Sequence, residues 1–358
     1  MPEPLKNMYS RSFVERLAND VQRVVGTRAS TFTNAVLDSN WESRELKDRG
    51  KHIAQCFHDL IPGTFAQKLN SLEQVGEAYS GFTAIVFADF VELYGQDELD
   101  VSLPYLEKFT TLCTSEFAVR PFLQRYYPEM KIAFAQWAKS DNHHVRRLAS
   151  EGIRTRLPWG MKVPALFDDT LWILNHLQQL VNDDSEYVRR SVANNLNDIS
   201  KDQPDLVLAF AAKQDLSNPN TSKLIKHALR GLLKQGSPEA LALFGFQNSL
   251  AIKCLAMQSK VEHIAIGERL PWHYALAVKG EGALRLEYKV HYLKKNGSYS
   301  GKVFKLSETQ VAGEKHIAQD KEQAFHDLTT RVHYPGTHKL ELIANGASVG
   351  EFSFELTQ

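Results

Sequence analysis

One internal repeat constrains this chain more than any other feature of its sequence. The segment Asp141-Asn-His-His-Val-Arg-Arg147 recurs 43 residues later as Asp184-Ser-Glu-Tyr-Val-Arg-Arg190. The apolar pattern continues past each copy, so that Ala149 in the first matches Val192 in the second. Segments that repeat at such a period must stack on their neighbours to bury their apolar faces. The pattern therefore predicts a solenoid built from repeating helical units.

The repeats are HEAT-like in period and in motif. A weaker third copy covers Ile225 to Leu233, and a spacing near 40 residues with Asp-x-x-x-Val-Arg is typical of paired-helix repeats. In this interpretation Asp141 and Asp184 cap their helices, and Arg146 and Arg189 link neighbouring repeats. These four residues are assigned to the framework of the fold and not to function.

The apolar period changes near the C-terminus. It is helical from Phe13 to about Leu270, and alternates from Leu284 to Tyr292 in the manner of a half-buried strand. Asn296-Gly297, Pro335-Gly336 and Asn345-Gly346 are turn signals between short strands. The sequence predicts a mainly α fold: a HEAT-like α-solenoid at residues 1–268, followed by a small immunoglobulin-like β-sandwich at residues 269–358.

Composition excludes several classes of protein. The 42 basic and 42 acidic side chains cancel, so a nucleic-acid surface would have to be local, as between Asp141 and Lys162. The three cysteines are far apart and form no zinc motif, which predicts a reducing compartment and no metal. The most apolar run, Gly81–Val91, is broken by Thr83 and Asp89, and the N-terminus has no apolar leader. We expect a cytoplasmic monomer that does not enter membranes.

Polar residues of the repeats fall on one helical face. At 100° per residue, Arg147, Glu151 and Arg154 share one stripe opposite the core, which predicts that they are exposed. The same stripe carries, in later repeats, Arg190, Asn194, Asn197 and Arg230, with Asp198 beside it. Arginine forks match phosphate oxygens, so the stripe suits a nucleic-acid backbone. The alternative is a set of ordinary ion pairs on a helix surface.

Trp159 follows the first repeat in Leu157-Pro-Trp-Gly160, a sequence that stops a helix and turns. A tryptophan on such a loop either covers the core between helices or provides a stacking surface for a base. The adjacent histidines His143 and His144 point in different directions on a helix. They therefore predict a solvated helix start and no metal site.

Four segments together resemble a known family. They are Pro4–Met8, Glu45–Ile53, His143–Trp159 and Ser185–Pro204. The sequence is similar, over residues 4 to about 245, to the HEAT-like-repeat DNA alkylation-repair glycosylases of the AlkC branch. Some members of this branch carry a C-terminal immunoglobulin-like domain, in agreement with the change of period.

The resemblance implies an activity, a partner and a site. The family excises cationic N3-alkylated bases, 3-methyladenine and 3-methylcytosine, from double-stranded DNA, without metal or cofactor and without extruding the base into a pocket. This implies a bacterial repair enzyme that joins the nucleoid when it acts. The implied catalytic carboxylates are Glu151 first, then Asp198 and Glu116, and Trp159 would stack on the lesion. The implied DNA-binding residues are Arg147, Arg154, Arg190, Asn194, Asn197 and Arg230.

Two other functional classes remain open from the sequence. One is a non-catalytic HEAT-repeat solenoid that binds DNA or RNA through its arginines. The other is a protein-interaction scaffold, which is a common use of HEAT repeats. Salt dependence separates them, because phosphate binding weakens steeply with salt.

Overall fold

The computed structural model describes residues 3–247, 249–328 and 331–358. Two compact units make up the chain. The first consists of Met1–Gln203 with Gln214–Ala228, and the second of Pro204–Lys213 with Leu229–Gln358. Within the described residues, no helix is long and apolar enough to cross a membrane.

Sixteen α-helices occur in the described part of the chain. They are α1 Arg11–Val25, α2 Ala29–Val36, α3 Leu46–Leu60, α4 Phe65–Gly76, α5 Ile85–Tyr94, α6 Leu99–Thr110, α7 Val119–Arg125, α8 Tyr127–Trp137, α9 His143–Glu151, α10 Pro164–Asp168, α11 Thr170–Gln178, α12 Glu186–Ile199, α13 Pro204–Ala212, α14 Pro219–Ala228, α15 Arg230–Gln235 and α16 Pro238–Leu243. Helices α13, α15 and α16 belong to the second unit. The mainly helical solenoid predicted from the repeat is confirmed.

Helix α1 illustrates how the sequence sets the helix limits. The Ser10 hydroxyl accepts a hydrogen bond from the Phe13 amide at 3.2 Å, which satisfies one of the free donors at the helix start. Leu17 and Val21 are buried one turn apart on the same face. Gly26, with φ of 78°, ends the helix in the left-handed conformation that glycine adopts without strain.

The repeated segments form α9 and α12, which pack against each other, and α12 in turn packs on α14. The predicted arginine link is confirmed, since Arg146 donates to Asp183 at 2.6 Å and to Asp184 at 2.7 Å in the next repeat. The predicted aspartate caps are wrong. Asn142 caps α9 by accepting from the His144 amide at 2.8 Å, and no side chain caps α12.

The predicted third copy does not form one helix. Helix α14 ends at Ala228 and α15 begins at Arg230, so the apolar run from Ile225 to Leu233 crosses a helix junction. Its apolar residues, among them Ile225 and Leu233, are buried on both sides of that junction. The apolar pattern therefore predicted correctly which residues are buried, but the prediction that they form one continuous helix is wrong.

Six strands occur in the described part of the second unit. They are β1 Ala251–Ser259, β2 His263–Ala265, β3 Arg269–Leu293, β4 Tyr299–Ala324, β5 Gly336–Ala344 and β6 Ala347–Thr357. Helical structure ends at Leu243, so the prediction of helix as far as about Leu270 is wrong. A short apolar run such as that of β1 does not distinguish strand from helix. The domain limits at 268 and 269 remain a prediction.

Two very long strands organise the sheet, where the sequence predicted short ones. β3 pairs with β4 along its whole length, and on its other edge first with β1 and then with β5. Between those two pairings Gly280 and Gly282 have φ of 130° and 148°, opposite Gly313 in β4. Backbone in this region is open to glycine, which lets both strands depart from a regular extended course.

Contact between β1 and β6, which do not pair, makes this sheet two-layered. A Cβ on Gly350 of β6 would lie only 2.9 Å from Cys254 Sγ of β1, so glycine permits the close approach. One apolar core lies between the layers and includes Trp272, Leu286 and Leu340. The predicted hairpin turn at Asn345-Gly346 is confirmed, with φ of 47° and 81°.

The alternating segment from Leu284 to Tyr292 lies in β3, as predicted, but it is not simply half-buried. Arg285 and Glu287, on its polar face, are buried too. Arg285 donates to Glu287 and to Glu308 of β4, each at 2.5 Å. An ion-paired cluster therefore replaces the solvated face that alternation predicts.

Candidate functional site

Helices α9 and α12 bring two carboxylates together. Glu151 is the last residue of α9 and Asp198 lies in the last turn of α12, and they are only 4% and 2% exposed. The Ser191 hydroxyl of α12 donates to Glu151 Oε2 at 2.6 Å, so the two helices are joined at the carboxylate itself. Sequence reasoning overlooked Ser191. Its signal is a polar residue where the first repeat has the buried Leu148.

Arg154 bridges the two carboxylates. Its Nη1 donates to Glu151 Oε1 at 2.6 Å and its Nε donates to Asp198 Oδ2 at 2.8 Å. Burial alone would lower the pKa of Arg154, but the neighbouring Glu151 and Asp198 outweigh it and raise that pKa. Arg154 therefore stays charged and fixes the separation of the two acids.

Burial of this pair corrects the predicted exposed stripe. Glu151 and Arg154 are both buried. The projection at 100° per residue does not extend to Arg154, because α9 ends at Glu151 and the chain then turns. The residues are still brought together, but in the contact between two repeats and not on an open helix face.

Arg147 joins the third predicted carboxylate to the cluster. It donates to Glu116 Oε2, and to the Thr114 hydroxyl at 2.9 Å, and it lies 3.4 Å from Glu151. Its guanidinium also lies over the ring of Tyr187, 5.1 Å from the centroid. Burial works against the charge, yet Glu151 and Glu116 hold the pKa of Arg147 above its ordinary value.

Glu116 differs from the other two acids in how many of its carboxylate oxygens accept hydrogen bonds. Both oxygens of Glu151 accept from Arg154 or Ser191, and Asp198 accepts from Arg154 and from Lys201, the latter at 3.3 Å. Glu116 uses Oε2 for its contacts, and in the described part of the chain its Oε1 has no hydrogen-bond partner. The residue lies in the turn before α7.

Arg120 holds the segment that follows α9. Its Nη1 donates to the carbonyls of Gly152 and Arg154, both at 3.0 Å, and its Nε donates to that of Met161 at 2.5 Å. Gly152 makes this approach possible, since a Cβ there would lie 2.9 Å from Val119. Arg120 was not among the predicted site residues, and a buried arginine gives no local sequence signal.

Trp159 lies on a loop, as predicted, and 65% of it is exposed. The alternative reading, in which it covers the core between helices, is therefore wrong. Its φ is 63°, a left-handed conformation that costs a bulky residue about 1–3 kcal/mol. Lys47 Nζ donates to its carbonyl at 2.7 Å and holds the loop from α3. A strained loop thus displays an aromatic surface beside the clamped segment.

The remaining predicted residues separate into three environments. Arg190 is exposed on α12, 3.7 Å from Glu186. Asn194 makes a 3.0 Å hydrogen bond to His227 of α14, and Asn197 is buried. The exposed placement expected for Asn197 is thus wrong, because every residue of α12 from Asn195 to Ile199 is buried. Arg230 begins α15, which belongs to the second unit.

A basic groove lies between α12 and α14. Its volume is about 390 Å³, and it is lined by Glu186, Arg189, Arg190, Ala193, Asn220, Lys223, Leu224 and His227. No group of three or more metal-ligating side chains occurs within the ranges that the structure describes. The carboxylates of the cluster are instead neutralised by arginine and lysine.

Comparison with known proteins supports the resemblance seen in the sequence. The family model described as a DNA alkylation repair enzyme matches residues 104–232, and one described as the C-terminal Ig-like domain of the uncharacterised protein YhaZ matches residues 253–358. The uncharacterised protein YhaZ of Bacillus subtilis (strain 168) is 37% identical over 98% of this chain and 99% of its own length.

A solved structure matches almost the whole chain. It is the Pseudomonas fluorescens alkylpurine DNA glycosylase AlkC bound to DNA containing an abasic site analog. It is 33% identical, with a TM-score of 0.96, and the match covers 99% of this chain and 100% of that one. The chain therefore belongs to the AlkC branch of the HEAT-like-repeat DNA alkylation-repair proteins, with a C-terminal immunoglobulin-like domain.

Proposed function

We propose that this chain is a DNA glycosylase that hydrolyses the N-glycosidic bond of cationic N3-alkylated bases, 3-methyladenine and 3-methylcytosine, in double-stranded DNA. The observation that carries the proposal is the buried cluster of Glu116, Glu151 and Asp198, held by arginines beside the exposed Trp159. The likeness over the full chain to a DNA-bound alkylpurine glycosylase supports the same reaction class.

The reaction requires little acid catalysis by the protein. An N3-alkylated base already carries a positive charge, so the electron pair of the C1′–N bond passes to the base without prior protonation. A sugar with oxocarbenium character remains, and water adds to C1′ to leave an abasic site, a free base and a proton. A fixed negative charge stabilises the positive sugar in the transition state. A carboxylate oxygen can accept the proton of the water.

The geometry favours different roles for the acids. Glu151 has both oxygens occupied by donors, so we assign it an electrostatic role opposite the developing sugar charge. Asp198 holds Arg154 and shares that role. Glu116, through its Oε1, is the acid best able to receive a proton from water. Arg147 and Arg154 keep all three carboxylates oriented before DNA arrives.

DNA would be held by the surface around the cluster. Arg190 and the groove between α12 and α14 offer basic groups to phosphates, and Trp159 offers a ring to the lesion or its sugar. In this proposal the protein acts as a monomer and does not extrude the base into a pocket before cleavage, as the family resemblance implies.

Single-turnover release of base from a duplex with one 3-methyladenine or one 3-methylcytosine tests the proposal. The wild type should release base, and Asp198→Asn should slow release by about 10²-fold because a developing positive charge loses a counter-charge. Lys201→Gln, which alters the exposed partner of the same carboxylate, is the matched control and should stay within a few fold.

Two results would contradict the proposal. Release from neither lesion, with DNA binding that weakens steeply with salt, would indicate a non-catalytic nucleic-acid-binding solenoid. Release from neither lesion without DNA binding would favour a protein-interaction scaffold.

A further inference from the structure

A cavity of about 320 Å³ lies between α3, α5 and the Trp159 loop, and its lining does not include the carboxylate cluster. We call it the Asp89 cavity. It is lined by Tyr9, Leu46, Lys47, Gly50, Lys51, Phe82, Ile85, Asp89, Glu92, Phe117, Trp159, Gly160 and Met161. Its volume is at the lower end of small-molecule sites, about 300–1,000 Å³, which suits one small ring system.

Asp89 of α5 is the polar group that makes this cavity unusual. It is only 8% exposed, and in the described part of the chain its carboxyl has no hydrogen-bond or ion-pair partner. Burial raises its pKa to about 7, and Glu92 adds to the shift. The nearby cations are engaged elsewhere: Lys47 donates to the Trp159 carbonyl, and Lys51 pairs with Glu92 at 3.3 Å.

Tyr9 presents a second unsatisfied group. Its hydroxyl is buried and, among the described residues, has no hydrogen-bond partner. Asp89 and Tyr9 converge on Gly50 of α3, where a Cβ would lie 2.9 Å from Asp89 Oδ2 and 3.3 Å from Tyr9 Oη. A buried polar group without a partner costs about 1–3 kcal/mol. Two such groups side by side at the wall of a cavity are available to a ligand that supplies their partners.

The walls specify the shape of that ligand. Phe117 and Trp159 line the cavity with aromatic rings, and Lys47 Nζ lies over the Phe117 ring, 4.1 Å from its centroid. Rings of this kind favour a planar heterocycle that stacks on them. A protonated carboxyl group can form two parallel hydrogen bonds with an amino group beside a ring nitrogen, because its hydroxyl donates to the nitrogen and its carbonyl oxygen accepts from the amino group. 3-Methyladenine has that edge, whereas 3-methylcytosine carries its methyl group on the ring nitrogen concerned.

We propose that the Asp89 cavity binds free 3-methyladenine after its release, with Asp89 and Tyr9 bonded to its amino and ring-nitrogen edge and Trp159 against its face. The inference rests on the proposed glycosylase function, since that reaction supplies the base. It assigns Trp159 to two surfaces, because the same loop displays its ring and forms a wall of the cavity. The product would thus stay on the protein after the bond is broken.

Calorimetric titration of the DNA-free full chain with 3-methyladenine tests the inference, and N6,N6-dimethyladenine, whose amino group has no hydrogen to donate, is the control ligand. We expect saturable binding of one 3-methyladenine and none of the control. Asp89→Leu removes both hydrogen-bonding oxygens, and Gly50→Ala places a methyl group between Asp89 and Tyr9. Each should weaken binding at least tenfold. Asp48→Asn, at an exposed carboxylate of α3 outside the cavity, should bind as the wild type does.

Thermal unfolding of each variant keeps the test independent of folding. Asp89→Leu should not lower the melting temperature, because the carboxylate that it removes is buried without a partner. Absence of binding by the wild type at millimolar 3-methyladenine would overturn the inference. Binding by both cavity variants with the affinity of the wild type would also overturn it.

Failure of the cavity and failure of the proposed function are distinguishable. Base release from DNA without binding of the free base would refute only the cavity inference. Binding of the free base without any release would leave the cavity and refute the glycosylase. If both proposals hold, added 3-methyladenine should slow multiple-turnover release by the wild type more than by Gly50→Ala.

Discussion

The helical and the sheet unit each bury an arginine between two carboxylates. Arg154 bridges Glu151 and Asp198, and Arg285 bridges Glu287 and Glu308. The residue types and the burial are alike, yet we assign a reaction to the first cluster only. Composition and burial therefore do not identify a site. The two clusters differ in which elements supply the ion-pair partners and in how many cations lie beside each acid.

The two clusters differ in redundancy. Glu151 has a second cation in Arg147 at 3.4 Å, and Asp198 has Lys201. In the sheet cluster Glu308 also has a second cation, Lys305 at 3.1 Å, but Glu287 forms its ion pair with Arg285 alone among the described residues. The sheet cluster also lies within one hairpin, β3 and β4, whereas the helical cluster joins α9 to α12. Each helical acid therefore keeps a second cation close by when the first is lost.

The largest effect should follow from removing Arg285. Arg285→Met leaves Glu287 buried without a counter-charge, so we expect a loss of about 3–5 kcal/mol in the free energy of unfolding of the sheet unit. Arg154→Met should cost less than half as much, because Arg147 and Lys201 remain beside the acids. Urea unfolding monitored by circular dichroism measures both. Equal losses would mean that redundancy does not distinguish the clusters.

Neutralising one acid in each cluster should separate function from stability. Glu151→Gln should lower the single-turnover rate of base release by about 10²–10³-fold, because the developing sugar charge loses its counter-charge. Glu287→Gln should leave that rate within a few fold of the wild type. A filter-binding assay should find DNA affinity little changed in Glu151→Gln. A comparable loss of rate in Glu287→Gln would remove the distinction drawn here.

Trp159 should show an effect about tenfold in size. Trp159→Gly relieves the left-handed backbone and removes the ring, so base release should fall by about tenfold, the scale of one base–aromatic stacking contact. The melting temperature should not fall, since glycine adopts φ of 63° without strain. Trp159→Phe is the matched variant and should recover most of the rate. A similar loss in both variants would argue against stacking.

The smallest effect should come from one exposed arginine in each unit. Arg190 and Arg269 are matched, since each is about two-thirds exposed and lies within 3.6–3.7 Å of a glutamate. Arg190→Gln should weaken DNA binding a few fold and reduce the slope of log affinity against log salt by about one. Arg269→Gln should change neither. A change in this slope for Arg269→Gln would instead indicate that DNA contacts the start of β3.

Sequence predicted the features that depend on local periods. The repeat at 43 residues identified α9 and α12, and Asn345-Gly346 identified a hairpin, because both signals are contained in short segments. Strand β1 was missed, since its short apolar run fits either period. The burial of Arg154 was not predicted because it depends on where α9 ends. The helix stops at Glu151, so the helical projection does not apply to Arg154.

The sequence contains one signal of the Asp89 cavity that did not lead to a predicted site. Asp89 interrupts the most apolar run of the chain, Gly81–Val91, and a lone acid in such a run is either paired or exposed to a ligand. Sequence alone could not add Tyr9 or Gly50, which come from other segments. Residues that meet only through tertiary packing leave no pattern in a single sequence.

Several of the bonds that build the carboxylate cluster cross from one repeat to the next. Arg147 reaches back to Thr114 and Glu116, and Glu151 and Arg154 reach forward to Ser191 and Asp198. Each unit of a solenoid contacts only its neighbours. An inserted or deleted unit between Thr114 and Asp198 would therefore separate the partners of these bonds and dismantle the cluster.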